Sequence, residues 1–260
     1  MSLRSAVLAL ALFAAPALVV APAAGAQSAA ESVAMGDRDH AANSTASSLK
    51  HYEAAIAADP KDFEALWKAA RGAVDLGESQ SDAARRKELY RSGEQYARRA
   101  VEVKATDPEG HFQLARALGR TALSLGKKDR VKYAGEVRAH ALAALKYDPR
   151  HAGALHVMGV WNAEVMRLSG FSRMVARNFL GGQVFGSASW KEAVRYMEQA
   201  VAVEPDRITH RLDLGEIYAD VGDKAKAREQ FETVLRLPAT EPNDQKYKQS
   251  AERALQSVKG

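Results

Sequence analysis

Six residues toward the C-terminus constrain the fold of this chain more than any other feature. Leu214, Gly215 and Tyr218 are followed by Ala227, Phe231 and Pro238, a spacing that suits two short antiparallel helices joined by a tight turn. Gly215 and Ala227 let the helices approach closely, while Leu214, Tyr218 and Phe231 fill the seam between them. One such unit leaves an apolar face uncovered, so it is stable only when stacked on neighbours. The chain must therefore contain more units, with recognisable boundaries.

An acid–proline pair recurs at Asp59-Pro60, Asp107-Pro108, Asp148-Pro149 and Glu204-Pro205, each time after an alanine-rich amphipathic run. The residue before proline is pushed out of the helical region, so each pair marks a boundary between repeats. Small residues stand five before three of these prolines, at Ala55, Ala144 and Ala200. Tyr52, Ala141 and Met197 stand three further back, in the place that Phe231 takes in the last unit. From Pro60 to Pro238 the intervals are 48, 41, 56 and 33 residues, against a period of about 34 for the tetratricopeptide repeat that the motif fits. The first three intervals therefore carry insertions. The phase of each segment predicts paired helices at 63–77 and 82–104, 109–125 and 128–147, 152–168 and 189–203, and 208–221 and 224–237. A half-repeat at 48–58 precedes them and a capping helix at 244–258 follows. Breaks are expected at Gly77, Gly126 and Gly222, where glycine suits a helix C-terminus. The expected fold class is all-α: a tetratricopeptide-like helical-hairpin solenoid with a helical insertion at 169–188 and a C-terminal capping helix.

Ahead of the repeats, Arg4 gives a short basic region, 6–20 is an uncharged apolar run, and Ala24-Gly25-Ala26 supplies the small-x-small pattern of a signal-peptidase site. Residues 1–26 are expected to be a cleavable signal peptide, with Gln27 as the mature start and the protein exported, periplasmic or secreted. A retained anchor is the alternative, although Pro16, Pro22 and the many alanines make the run a poor spanning helix. Residues 27–47 are rich in Ala, Ser, Asp and Asn without an aromatic, and read as a flexible leader before a repeat domain at 48–260. The absence of cysteine removes disulfides, thiolate metal sites and a cysteine nucleophile together. The net charge of +5 is interleaved, as in Arg85-Arg86-Lys87-Glu88, which reads as solvated helix faces. No nucleic-acid partner is expected.

His156-Val157-Met158-Gly159-Val160-Trp161 precedes an arginine-bearing insertion that runs from Phe171-Ser172-Arg173-Met174 through Arg177-Asn178-Phe179-Leu180, and Trp190-Lys191-Glu192-Ala193-Val194 follows it. This arrangement continues to Leu237-Pro238-Ala239 and the polar C-terminal helix, and reaches back to Leu66-Trp67. It resembles the regulator of microtubule dynamics family, tetratricopeptide-like proteins of animals with bacterial relatives, over about 48–258; this chain would be a bacterial-type exported relative. The resemblance implies an all-α repeat fold and a non-catalytic role. Gly181-Gly182-Gln183-Val184-Phe185-Gly186 departs from the proline-containing loop expected there. With the export signal, that departure argues against carrying over microtubule binding.

Catalysis has no constellation to rest on. His111 and His140 belong to separate helices, His151 and His156 are five apart, and HExxH does not occur. The stretch from Gly119 to Gly126-Lys127 lacks the hydroxyl and the preceding strand of a phosphate loop, and G-x-S-x-G is absent. No enzymatic activity, metal or cofactor is expected. Binding has a better basis, because the first helix of each pair in a stacked solenoid lines the concave face. Helical phase puts Trp67, Arg71, Gln113, Arg120, His156, Glu164 and Glu216 there. That polar groove suits a protein or peptide partner whose carboxylates meet Arg71 and Arg120. The insertion offers a second surface, with Arg173 and Arg177 on one face and apolar area from Phe171 and Phe179. It would plug the solenoid, dock a partner, or lie on a membrane surface. The expected function is a non-catalytic scaffold that binds a protein or peptide in its groove. The alternative is a carrier or sensor of an apolar ligand or lipid, using groove and insertion together.

Overall fold

Asp62, Asp82, Asp107, Ser189 and Asp223 each accept a backbone N–H from the first turn that follows them, so the start of each helix is written locally. In the computed structural model, which describes residues 28–168 and 183–258, every regular element is a helix and no strand occurs among the described residues. The first hairpins are α1 (Ala29–Ala41) with α2 (Thr45–Ala58), α3 (Phe63–Ser79) with α4 (Ala83–Val103), and α5 (Pro108–Leu123) with α6 (Lys127–Tyr147). Next comes α7 (Ala152–Arg167), which pairs across a short α8 (Gln183–Gly186) with α9 (Trp190–Val203). A hairpin of α10 (Ile208–Asp220) and α11 (Lys224–Arg236) follows, and α12 (Asp244–Ser257) closes the chain. The expected helix pairs are all present, with ends that agree within two residues.

Three acid–proline pairs act as predicted: the amides of Asp59, Asp148 and Glu204 bond the carbonyls of Ala55, Ala144 and Ala200 and close the last helical turn. Asp107-Pro108 marks its boundary from the other side, with Asp107 as the cap and Pro108 in the first turn of α5, where its missing N–H costs nothing. Of the predicted breaks only Gly222 ends a helix, at φ +85°. Gly77 lies within α3 against the ring of Tyr90, and Gly126 stands before α6 as its cap.

The seam between paired helices repeats. Gly36 faces Tyr52, Gly159 faces Met197 and Gly215 faces Phe231, and a Cβ on any of these glycines would fall 2.4–2.5 Å from its partner's side chain. Tyr52, Met197 and Phe231 are fully buried. Ala200 is equally buried one turn from Met197. Ala200→Trp is therefore expected to cost about 1–3 kcal/mol through overpacking, read by urea denaturation; unchanged stability would mean that Ala200 does not face the seam.

The segment read as a flexible leader is instead helix α1. Ser28 Oγ accepts from Glu31 N while the Glu31 carboxylate accepts from Ser28 N, a reciprocal capping box. The Tyr52 hydroxyl donates to Asp37 at 2.9 Å across the hairpin. The stretch at 48–58 is thus the second helix of a complete hairpin, and the repeat fold extends back to α1 instead of starting at 48. An aromatic-poor α1 looked loose in sequence because the large side chain of its seam, Tyr52, belongs to the other helix. The expected signal segment, together with Phe171, Arg173, Arg177 and Phe179 of the insertion, lies outside the described residues. Among those described, no helix is long and apolar enough to cross a membrane.

Helix α12 packs on α10 and α11, and its start also returns to α3. Asn243 Nδ2 donates to Asp75 O at 3.0 Å, Lys246 Nζ donates to Glu78 O, and the Tyr247 hydroxyl donates to the Glu78 carboxylate. Asn43 Nδ2, after α1, donates to Thr240 O at 3.2 Å. The two ends of the solenoid are thereby tied together across its concave side.

Candidate functional site: a strapped concave cavity

Helices α3, α5, α7 and α10, the first members of their hairpins, line a cavity of about 740 Å³ that also meets residues 241–244 and Tyr247 of the strap. That size falls in the range of cavities that engulf a ligand. Trp67, Arg71, Gln113, Arg120, His156 and Glu164 all line it. Glu216 does not; Asp213, about one turn earlier on α10, takes the place expected for it.

Lining the cavity does not leave a side chain free. Arg120 Nε lies 2.7 Å from Glu78, and Arg116 lies 2.5 Å from Asp75 and 3.1 Å from Glu78. Burial alone would raise the Glu78 carboxyl, but Arg120 and Arg116 override it and hold Glu78 at about 2. Arg120 is therefore the counter-ion of this chain's own Glu78, which corrects its expected role as half of a carboxylate clamp. His156 Nε2 meets Asp213 at 2.6 Å and stacks on His210, with ring centroids 4.8 Å apart. Burial, reinforced by His156, pushes His210 well below its usual value and keeps it neutral. Glu164 sits between Arg130 at 2.9 Å and Arg167 at 2.8 Å. Gln113 Nε2 donates to Glu109 at 2.7 Å, and Glu109 also meets His151 Nε2 at 3.2 Å. Burial would lower His151, yet its bond to Glu109 raises it.

Arg71 differs. Its guanidinium lies 5.2 Å from the centroid of the Trp67 ring, Nη2 makes one long contact of 3.5 Å with the Tyr52 hydroxyl, and Nε has no hydrogen-bond partner among the described residues. One part of the lining is apolar, with Val131, Val137, Val165 and Phe185 clustered with Trp161. Phe185 stacks on Trp161 at 6.5 Å, and Trp161 Nε1 donates to Ala134 O at 2.8 Å, which holds the indole in place. The His-x-Met-Gly-x-Trp motif thus serves three surfaces: His156 the polar lining, Gly159 the seam with Met197, and Trp161 the apolar lining.

Sequence reasoning missed Asp75, Glu78, Glu109 and Tyr247. A signal for the first two was available. Asp75 and Glu78 stand three apart on the buried stripe of α3, and two acids on a buried stripe need cations beside them, although their spacing does not say that Arg116 and Arg120 of α5 supply them.

Glu216, outside the cavity lining, is raised from 4.5 to about 7, first by burial and then by repulsion from Asp213, despite Arg167 at 3.9 Å. Between those two values the folded chain keeps a proton that the unfolded chain has released. Glu216 therefore reduces stability as pH rises from 4.5 to about 7, and no further above that range. Glu216→Gln is expected to raise the melting temperature at pH 8 and to change it little at pH 4. An equal gain at both pH values would show that proton linkage is not the cause.

Successive helical hairpins around a lined concave face define a tetratricopeptide-like helical-repeat scaffold. The solved structure of TTC0263, a thermophilic TPR protein from Thermus thermophilus, has the same fold, with a TM-score of 0.63, 20% identity, and coverage of 88% of this chain and 99% of that one. The family profile for regulator of microtubule dynamics protein 1-3 matches residues 32–259, and the chain belongs to that family. It is 25% identical to regulator of microtubule dynamics protein 1 of Mus musculus over 76% of this chain and 65% of the mouse protein. With regulator of microtubule dynamics protein 3 of Bos taurus it is 24% identical over 74% of this chain and 40% of that protein. The chain thus spans less than two thirds of the length of these relatives.

Proposed function

We propose that the protein is a non-catalytic scaffold that holds a short segment of a protein partner in its concave cavity, and that it does so after export. The reading is supported above all by Arg71. It is a cation in the lining of a 740 Å³ cavity that packs on Trp67 and has no ion pair among the described residues. A partly buried cation of this kind binds an incoming carboxylate more strongly than a solvated one. Affinity capture from the exported compartment, with mass spectrometry of polypeptides and extracted lipids, tests the reading. Arg71→Glu is expected to weaken partner capture by about 2 kcal/mol or more, because charge reversal adds repulsion to lost pairing. Helicity should be unchanged. Capture that is equal in wild type and variant would remove Arg71 from the site.

A second reading is favoured by one observation, the apolar lining around Trp161 and Phe185. It suits an apolar ligand or lipid tail, and a co-purifying lipid without a stoichiometric polypeptide would select it.

A further inference from the structure

Among the described residues six arginines line the cavity. Arg116, Arg120, Arg130 and Arg207 are each paired with a carboxylate of this chain, and Arg150 is exposed. Arg71 is left as the half-buried lining cation without an ion pair among the described residues, its Nε without a partner. On the adjoining α5, Gln113 is only 2% exposed. The atom of Gln113 that meets Glu109 must be Nε2, because a carboxylate only accepts. That leaves Oε1 as a buried acceptor with no donor among the described residues, a costly state unless something supplies an N–H. Among the described residues the lining therefore holds a cation without an ion pair on α3 and a buried acceptor without a donor on α5, two helices in contact.

Resting on the peptide reading above, we propose that the segment held is a free polypeptide C-terminus. Its terminal carboxylate meets Arg71, an N–H of its last residues meets Gln113 Oε1 once that side chain turns toward the cavity, and its apolar side chains turn toward Trp161 and Phe185. An internal segment supplies the amide without the carboxylate, and a fatty acid supplies the carboxylate without the amide. Charge narrows the choice further. Among the described residues nine carboxylates line the cavity against six arginines, so an acidic tail is repelled and a single terminal carboxylate is favoured only beside Arg71. The strap agrees, since residues 241–247 cross the concave side and bond α3. A chain end enters beside it more readily than a strand laid across it.

The test is equilibrium binding of the full chain to pooled fluorescein-labelled hexapeptides ending in Leu, Val or Phe, prepared as free acids and as carboxamides. Free acids are expected to bind about tenfold or more tightly than amides. Arg71→Gln should reduce the acids to the amide level, and Arg71→Lys should keep part of the difference. Equal binding of acids and amides by the wild type overturns the C-terminal assignment while the peptide reading stands. A preference for acids that survives Arg71→Gln overturns the assignment to Arg71. Failure of both pools sinks the inference and the peptide reading together, and binding of dodecanoate in that case assigns the cavity to an apolar anion. The acid–amide comparison uses unaltered protein, so a misfolded variant cannot decide it.

Discussion

Glu78→Gln is expected to lower the stability of the folded chain by about 3 kcal/mol or more. Glu78 is 5% exposed and is the shared counter-ion of Arg116 and Arg120 as well as the acceptor of the Tyr247 hydroxyl. Removing its charge leaves two partly buried guanidiniums with Asp75 alone, and an uncompensated buried charge costs more than the ion pair contributed. Because the folded value of Glu78 is held at about 2, against an ordinary 4.5, its contribution is fully present above 4.5. It is lost as pH falls toward 2. The variant should therefore show both a lower urea midpoint at pH 7 and a shallower acid limb. Hydrogen exchange should also rise in α12, which the same carboxylate ties to α3. A midpoint unchanged at pH 7 would mean that the strap and the arginines do not depend on Glu78.

Phe231→Ala should cost about 3–5 kcal/mol. The ring is 1% exposed, stands in the apolar cluster with Ile217 and Val234, and fills the notch left by Gly215. Gly215→Ala alone should also destabilise, since its Cβ would fall 2.5 Å from the ring. In the Phe231→Ala background that methyl enters vacated space. The double variant should then lose less than the sum of the single losses, a coupling that a double-mutant cycle reads directly. Strict additivity would contradict the seam between α10 and α11.

The repeat boundaries were legible because their causes lie within a few residues. Asp62 caps α3 through a bond to Ala65 N three positions on, and the amide of Asp148 reaches back four positions to Ala144. The cavity lining was legible for the same reason, since Trp67 and Arg71, or His156 and Glu164, share a face by helical phase alone. Helix α1 was not, because its seam is completed by Tyr52 from the next helix and its own composition is that of a loop. Arg120 illustrates the other failure: its place on the inner face was predicted, whereas its partner Glu78 lies 42 residues earlier on a different helix.

By itself the sequence determined where most of the helices after α1 start and stop and that the units must stack, because caps, prolines and a 3.6-residue period act over one or two turns. Only the tertiary structure decided which inward charges are already spent. The Tyr247–Glu78 contact spans 169 residues, and no local periodicity encodes a pairing of that separation. Closure by α12 brings Asn243, Lys246 and Tyr247 against α3, while Arg116 and Arg120 are paired with its carboxylates. Arg71 and Gln113 are left with atoms that have no partner among the described residues. In the packed chain a charged side chain takes the counter-ion that folding places beside it, and sequence spacing does not set which one that is.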